Sequence, residues 1–321
     1  MVNDWLITGG CGFIGTSLVQ YIFRHYPTAN IRILDNLSVG SRSDLQEVCE
    51  FKEIKLSNIN IAPVGVELVV GDIRDEQMTI AAAKGVNCIV HLAANTGVGP
   101  SVDDPRLDME SNVLGTFNVL ESARKNDVNK FIFASSGAPI GDITELPIHE
   151  ELPAHPVSPY GASKLAGEGY CSSYFRTFGV KTIALRFGNV YGPRSKHKAS
   201  VIAKFIKLAL DGKNCEIYGN GDQTRDFIYI DDLIDAIGKA SEVNIGGEVF
   251  QIATNYEHSL NDLVDILEPV LAKCKINLIT SYVGKRAGDV ERNYSDISKS
   301  KKHLGWEPKV GLKEGVERTT E

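Results

Sequence analysis

Trp5-Leu6-Ile7-Thr8-Gly9-Gly10-Cys11-Gly12-Phe13-Ile14-Gly15 is the stretch whose reading decides the fold. An apolar run of strand type, Trp5 to Thr8, meets Gly9, Gly12 and Gly15, spaced three apart, and the pattern then turns helical through Arg24. Glycines placed this way give a tight turn, let backbone approach a pyrophosphate, and let a helix pack close to a strand. A helix that starts there aims its free N–H groups and positive dipole end at phosphates. Three glycines alone are weak evidence of a ligand. Their place between a strand and a helix makes this a dinucleotide loop, with Gly9, Gly12, Phe13, Ile14 and Gly15 facing the cofactor.

The same alternation continues outward. Val/Ile/Leu-rich runs predict strands at Trp5–Thr8, Ile31–Asp35, Glu67–Val70, Cys88–His91, Lys130–Ala134 and Thr182–Phe187. Little polar alternation marks them as strands covered on both faces. Helical patterns lie between them, including Ile14–Arg24, Asp108–Lys125 and Pro159–Phe178. This is the signature of an α/β chain with a parallel sheet. The regularity stops after Arg186. Ala199–Asp211 and Leu260–Cys274 read as amphipathic helices, and Glu248–Ala253 reads as one more strand for the main sheet. The expectation is a sheet of about seven strands carried by residues 1–186 and 226–256, with a smaller domain of 187–225 and 257–321 interleaved with it.

Asp35 ends the second strand, 20 residues after Gly15. A carboxylate there accepts hydrogen bonds from an adenosine ribose and repels a 2′-phosphate, which favours NAD over NADP. Asp72, after the third strand, belongs to the adenine side or caps the segment that follows it.

Tyr160-Gly161-Ala162-Ser163-Lys164 puts a phenol and an ammonium four residues apart, on one face of a helix. A phenol titrates near pH ~10, and a neighbouring cation is expected to lower that value toward a useful base. Pro159 suits the first turn of such a helix. The fifth strand ends in Ser135-Ser136, where loops line the ligand crevice of parallel sheets. A hydroxyl there shares a proton with the tyrosine; the alternative is a pair of turn serines.

Composition bounds the rest. The 321 residues are 43% hydrophobic and 23% charged, an ordinary globular mixture. A formal charge of -7 argues against nucleic acid, and the basic block Lys196-His197-Lys198 is too short to alter that. No run approaches the roughly 20 apolar residues of a membrane span, and the amino terminus lacks a basic secretion start. Six scattered cysteines without a Cys-x-x-Cys pair predict reduced thiols, no metal and a cytoplasmic setting.

These residues, with His91-Leu92-Ala93-Ala94, Asn112-Val113-Leu114-Gly115-Thr116, Leu185-Arg186-Phe187-Gly188-Asn189-Val190-Tyr191-Gly192-Pro193, Arg225-Asp226-Phe227-Ile228-Tyr229 and Arg286-Ala287-Gly288-Asp289, resemble the extended short-chain dehydrogenase/reductase family. Within it they look like the nucleotide-sugar epimerases typified by UDP-galactose 4-epimerase. The resemblance covers nearly the whole chain. It implies a doubly wound Rossmann fold with a carboxyl-terminal substrate domain, NAD as cofactor and a UDP-hexose or derivative as substrate. By resemblance Ser136, Tyr160 and Lys164 are catalytic, with Tyr160 and Lys164 also at the cofactor. Asn36, Ile73, Leu92, Ala93, Ala94 and Asn112 join Asp35 and Asp72 at the cofactor. Asn189, Arg225, Arg286, Asp289 and Asn293 join Ser136 at the sugar nucleotide, the arginines on its diphosphate. A two-fold dimer through Asp108–Lys125 and Pro159–Phe178 is implied as well.

Two departures bear on the sugar. Pro139-Ile140-Gly141 stands where the family commonly has Val-Tyr-Gly, and Asn293 stands where a residue limiting sugar size varies. Rival activities oxidise the same sugar and then diverge. The 4,6-dehydratases of this family carry an Asp-Glu pair after the Ser/Thr and decarboxylases a Glu, where this chain has Gly137-Ala138. That absence of acid chemistry favours epimerisation. A non-catalytic NAD sensor on the same fold would have no chemical reason to keep Ser136, Tyr160 and Lys164.

Overall fold

The computed structural model describes residues 2–59, 61–142, 145–196, 200–285 and 290–320. The strands are β1 (Asp4–Thr8), β2 (Asn30–Asp35), β3 (Lys52–Glu53), β4 (Val66–Val70), β5 (Cys88–His91), β6 (Lys130–Ser136), β7 (Lys181–Phe187), β8 (Asn189–Tyr191), β9 (Asn214–Tyr218), β10 (Thr224–Arg225), β11 (Phe227–Tyr229), β12 (Glu248–Ile252), β13 (His258–Ser259) and β14 (Ile279–Val283). The α-helices are α1 (Phe13–His25), α2 (Arg42–Gln46), α3 (Glu76–Ala82), α4 (Val98–Asp103), α5 (Pro105–Met109), α6 (Gly115–Lys125), α7 (Pro159–Phe178), α8 (Val201–Leu210), α9 (Ile230–Glu242), α10 (Leu260–Lys273), α11 (Ser298–Leu304) and α12 (Leu312–Thr320). A π-helical turn, Glu110–Leu114, joins α5 to α6.

Eight strands form one sheet in the order β12-β7-β6-β5-β1-β2-β4-β3. β1 pairs in parallel with β2 and β5, β4 with β2 and β3, and β6 with β5. The strand order reverses at β1, so the carboxyl ends of β1 and β5 mark the switch point where doubly wound sheets bind ligands. Leu6, Ile7, Ile31, Ile33, Ile89 and Phe131 are fully buried, as apolar runs between two helical layers should be. Val119, Leu120 and Ala123 of α6 join Leu6, Leu34, Val69, Ile89 and Phe131 in one core. Helix α7 lies close on β6: a Cβ at Gly167 would sit 2.4 Å from the Phe133 ring.

The structure corrects the expected count of about seven strands to eight. The extra strand, β3, is two exposed residues long and carries no apolar pattern to read. The helix expected from Asp108 starts earlier, at Pro105, because Asp104 caps it by accepting from Leu107 N at 2.9 Å.

The chain folds as two compact units: residues 1–142, 151–186 and 234–250, and residues 143–150, 187–233 and 251–321. In the second, β8 pairs with β11 and β9 with β14, both in parallel. Trp306 is buried there and donates its indole N–H to Asp232 O at 2.9 Å. Among the described residues, no helix is long and apolar enough to cross a membrane.

Candidate active site

The glycine loop assigns one duty to each glycine. Gly9 has φ +71°, a backbone shape that side chains resist, and a Cβ there would meet Ala93 N at 2.8 Å. Gly15 packs so tightly that its Cβ would lie 2.5 Å from Gly10 Cα. Gly12 is different: its Cβ would meet Gly9 O at 3.3 Å and otherwise open space. Gly12 is also the N-cap of α1, with no side-chain cap and no acid in the first turn. Phe13 and Ile14 open that turn, a helix N-terminus of the kind that suits an anionic group.

Asp35 is buried at the end of β2, accepting from Cys11 N at 2.9 Å and Leu37 N at 2.8 Å. Burial raises its carboxyl, and these two N–H groups pull it back. It therefore clamps the glycine loop, and its carboxylate oxygens keep lone pairs for a further donor. Asp72 lies across from it, receiving Arg74 Nη2 at 2.8 Å and Asn36 Nδ2 at 3.3 Å. The Arg74 guanidinium holds Asp72 below the usual carboxylate range. The capping alternative for Asp72 is overturned, since Asp75 caps α3 through Met78 N at 3.1 Å. The Ile73 side chain belongs to the core, so only its backbone can reach a ligand.

Leu92, Ala93 and Ala94 follow β5 beside the glycine loop, Leu92 N donating to Thr8 O at 3.1 Å. A one-way chain of hydrogen bonds ties this edge together. Ala93 N donates to Thr8 Oγ1 at 3.2 Å, and Thr8 Oγ1 lies 2.7 Å from His91 Nδ1. His91 Nε2 lies 3.0 Å from Thr116 Oγ1, which donates its own hydrogen to Asn112 O at 2.6 Å. Thr116 must then accept, so His91 carries its proton on Nε2 and Thr8 donates to Nδ1. Burial pushes His91 down to about 3, which keeps it neutral.

Asn112 sits in the π-turn and is 1% exposed. Its Oδ1 accepts from Asn95 N at 2.8 Å, and its Nδ2 donates to Asn95 O at 2.9 Å, Asp108 Oδ1 at 2.9 Å and Ser163 Oγ at 3.3 Å. An amide so fully engaged positions the loop after β5 and leaves no donor for a cofactor.

Ser158 caps α7, accepting from Gly161 N at 3.1 Å, and Pro159 follows at the first helical position. Tyr160 is thereby fixed in the first turn, half-buried, and hydrogen-bonds the Ser136 hydroxyl. Ser135 and Ser136 point opposite ways on β6, as strand alternation requires. Ser135 is buried and donates to Glu168 Oε1 at 2.6 Å, whereas Ser136 stays partly open beside the phenol. Lys164 is 3% exposed, donates to Ala134 O at 2.9 Å, and lies 5.8 Å from the Tyr160 ring centroid.

The expected lowering of the tyrosine by Lys164 is corrected by the structure. Burial pushes Tyr160 up to about 12, the Ser136 hydrogen bond draws it back, and the Asp108 charge pushes it up again. Lys164 is itself pushed down to about 8 by burial, against the pull of Asp108 and Glu168. The chain's own groups thus hold the phenol as an acid, and spacing alone gave no sight of that desolvation.

The second unit carries the other expected residues. Asn189 N donates to Asp226 O at 2.9 Å. Arg225 Nη1 donates to Val290 O and Thr224 O, both at 2.7 Å, and Asn293 N donates to Thr224 Oγ1 at 3.4 Å. Asp226, 1% exposed, binds this region by accepting from Thr254 N at 2.7 Å, Asn255 N at 3.0 Å and Ser295 N at 3.3 Å. A cavity of about 270 Å³ lies nearby, lined by residues including Tyr218, Asp222, Gln223, Lys285 and Arg292, none of which the sequence had singled out. Arg286, Asp289 and the block from His197 lie outside the described residues. Among the described residues, no group of three or more His, Cys, Asp or Glu could hold a metal ion.

Similarity to known proteins agrees with this construction. The family model described as the NAD dependent epimerase/dehydratase family matches residues 5–253. A putative UDP-glucose 4-epimerase of Methanocaldococcus jannaschii is 38% identical over 317 residues, 98% of this chain and 96% of that protein. The solved structure of the Thermus thermophilus UDP-glucose 4-epimerase in complex with NAD has a TM-score of 0.84 at 33% identity, over 98% of this chain and 97% of that one. Homo sapiens dTDP-D-glucose 4,6-dehydratase is 29% identical over 323 residues, 98% of this chain and 88% of that protein. Likeness of this extent makes the chain a member of the NAD dependent epimerase/dehydratase family.

Proposed function

We propose that the chain is a nucleotide-sugar 4-epimerase acting on a UDP-hexose or a derivative of one. NAD, when bound, supplies the hydride acceptor and donor. Burial alone holds the Tyr160 phenol protonated, and the positive charge of bound NAD beside that of Lys164 would favour the phenolate; in that form Tyr160 takes the proton of the sugar 4-hydroxyl while Ser136 hydrogen-bonds the reacting oxygen. With its C4 hydride passed to the cofactor these residues would hold, the sugar would become a 4-keto form, turn over in the pocket and regain the hydride on its other face, Tyr160 returning the proton to the oxygen. Gly9, Gly12, Phe13, Ile14, Gly15, Asp35, Asn36, Asp72 and Leu92–Ala94 hold the cofactor in this reading. Asn189, Arg225, Arg286, Asp289 and Asn293 hold the sugar nucleotide.

One observation carries the choice of epimerase: the loop that leaves Ser136 is Gly137-Ala138-Pro139, with no carboxylate to drive elimination or decarboxylation. The solved structure of the Thermus thermophilus UDP-glucose 4-epimerase supports the same reading, while the dehydratase relative supplies the competing one. Purified protein given UDP-glucose, UDP-N-acetylglucosamine and UDP-glucuronate in turn should yield a 4-inverted sugar from at least one, read by NMR. A 4-keto-6-deoxy product or carbon dioxide would overturn the assignment.

The apolar residues left exposed on α4 to α7, among them Val102, Leu107, Met109, Phe117, Tyr170 and Phe178, support a homodimer through this face. Light scattering should give a dimer mass, and Phe117→Glu should give a monomer; a monomeric parent protein overturns the dimer. A cytoplasmic setting completes the reading, supported by free cysteines of which Cys11, Cys88, Cys171 and Cys215 are buried.

A further inference from the structure

Glu168 stands one helical turn beyond Lys164 on α7 and two beyond Tyr160, so the three groups share a face. Its carboxylate is buried and heavily engaged. Ser135 Oγ donates to Oε1 at 2.6 Å, Arg186 Nε to Oε1 at 2.8 Å, and Arg186 Nη2 to Oε2 at 2.7 Å. Arg186 near the end of β7 is 4% exposed, and its Nη1 finds no partner among the described residues. A buried ion pair is a poor device for stability alone, because desolvation consumes most of its attraction. Its place beside the ammonium calls for another purpose.

We propose that Glu168 is a positioning residue for Lys164, a fixed negative charge clamped by Arg186 and Ser135 that keeps the ammonium protonated and seated beside Tyr160. This rests on the proposed role of Lys164. The ammonium has little else to sustain it: its described hydrogen bond is to Ala134 O, and the Phe133 ring lies 4.9 Å away. Around it stand Asp108 from α5, neutral His91 from β5, and Tyr160, Glu168 and Cys171 from α7. Arg186 from β7 stands behind Glu168. Burial draws Lys164 down to about 8, and Asp108 and Glu168 are the main groups that oppose it. Removing one of those carboxylates shrinks the ammonium population at neutral pH.

Lysine labelled with ¹³C at Cε, with the Lys164 signal identified by its loss in Lys164→Met, gives the titration directly in protein without NAD or sugar. Glu168→Gln should lower the Lys164 midpoint by about one pH unit, and Glu168→Asp should restore most of it. The single variant leaves Arg186 buried and unpaired, so Glu168→Gln/Arg186→Met is measured beside it; it removes both charges together and spares the fold. The double variant should also show a lowered midpoint. A parental midpoint in either folded variant overturns the proposal. Because the readout needs no turnover, its failure stays separate from failure of the epimerase reading, which the sugar products decide.

Discussion

Alanine at Gly12 and alanine at Gly15 should separate the two duties of the glycine loop. At Gly15 the new Cβ would lie 2.5 Å from Gly10 Cα and Gly9 O, where ordinary contact begins at 3.4 Å. The start of α1 must therefore retreat by about 0.9 Å (3.4 − 2.5). Overpacking of this kind costs about 1–3 kcal/mol, and each kcal/mol lowers Tm by about 2–4 °C in a large domain. A fall of roughly 2–12 °C follows, together with weaker NAD binding because the N–H groups of α1 move. At Gly12 the backbone is extended, with φ −78° and ψ 175°, and Gly9 O at 3.3 Å is the one close atom. The loss there is the N-cap preference, about 1 kcal/mol or less. In the proposed reading the methyl group projects onto the surface offered to the pyrophosphate, so the NAD Kd should rise at least about tenfold, some 1.4 kcal/mol. Calorimetric unfolding without NAD and isothermal titration with NAD read the two effects apart. A Gly12→Ala protein that binds NAD like its parent would refute the cradle, and a Gly15→Ala protein with unchanged Tm would refute the packing argument.

Tyr160→Phe should cut turnover by about 10²–10⁴-fold while leaving NAD affinity within about threefold, measured by product assay and titration calorimetry. An ultraviolet difference titration of the parent against Tyr160→Phe, without NAD, should show no phenolate from this residue below about pH 10, since burial holds it up at about 12. His91 has a folded pKa depressed to about 3, below the ~6.5 of an unfolded chain, so between these values the unfolded state binds a proton that the fold refuses. Stability therefore rises with pH across that window by up to about 1.4 kcal/mol per unit from this group, and His91→Gln should flatten the slope of unfolding free energy measured from pH ~4 to ~6.5. Arg32 is 1% exposed and serves Glu67, Ala82 O, Lys84 O and Ile61 O, so Arg32→Met should cost about 3–5 kcal/mol in denaturant unfolding. A cost near zero would show that the guanidinium is not the tie the geometry describes.

Much of the fold was legible because strands buried on both faces must be written as apolar runs, and a glycine loop must sit between such a strand and a helix. β3 was not legible, since Lys52 and Glu53 are held by pairing to β4 rather than by any pattern of their own. Tyr160, Lys164 and Ser136 were legible from spacing and from the strand end. Their protonation was not, because it depends on desolvation and on Asp108, which stands 52 residues before Tyr160 in sequence. The same limit hid the Thr8–His91–Thr116 chain, whose first link joins residues 83 apart. Glu168 could have been found: it continues the four-residue spacing of Tyr160 and Lys164. Asn112 was marked for the cofactor by its motif alone, and its ties to Asn95, Asp108 and Ser163 were out of sight because they depend on the fold.

The π-turn at Glu110–Leu114 acts as a single spare residue in a long helical run. In an unbroken α-helix, positions 108 and 116 would point about 80° apart; with one residue absorbed, the offset shrinks to about 20°. Asp108, Asn112 and Thr116 can then all look inward, each 1% exposed. One rod thereby serves the lysine at one end and the histidine at the other. Losing a single amino acid here would swing one end away by about 100°, so this segment should tolerate substitution far better than a change in its length.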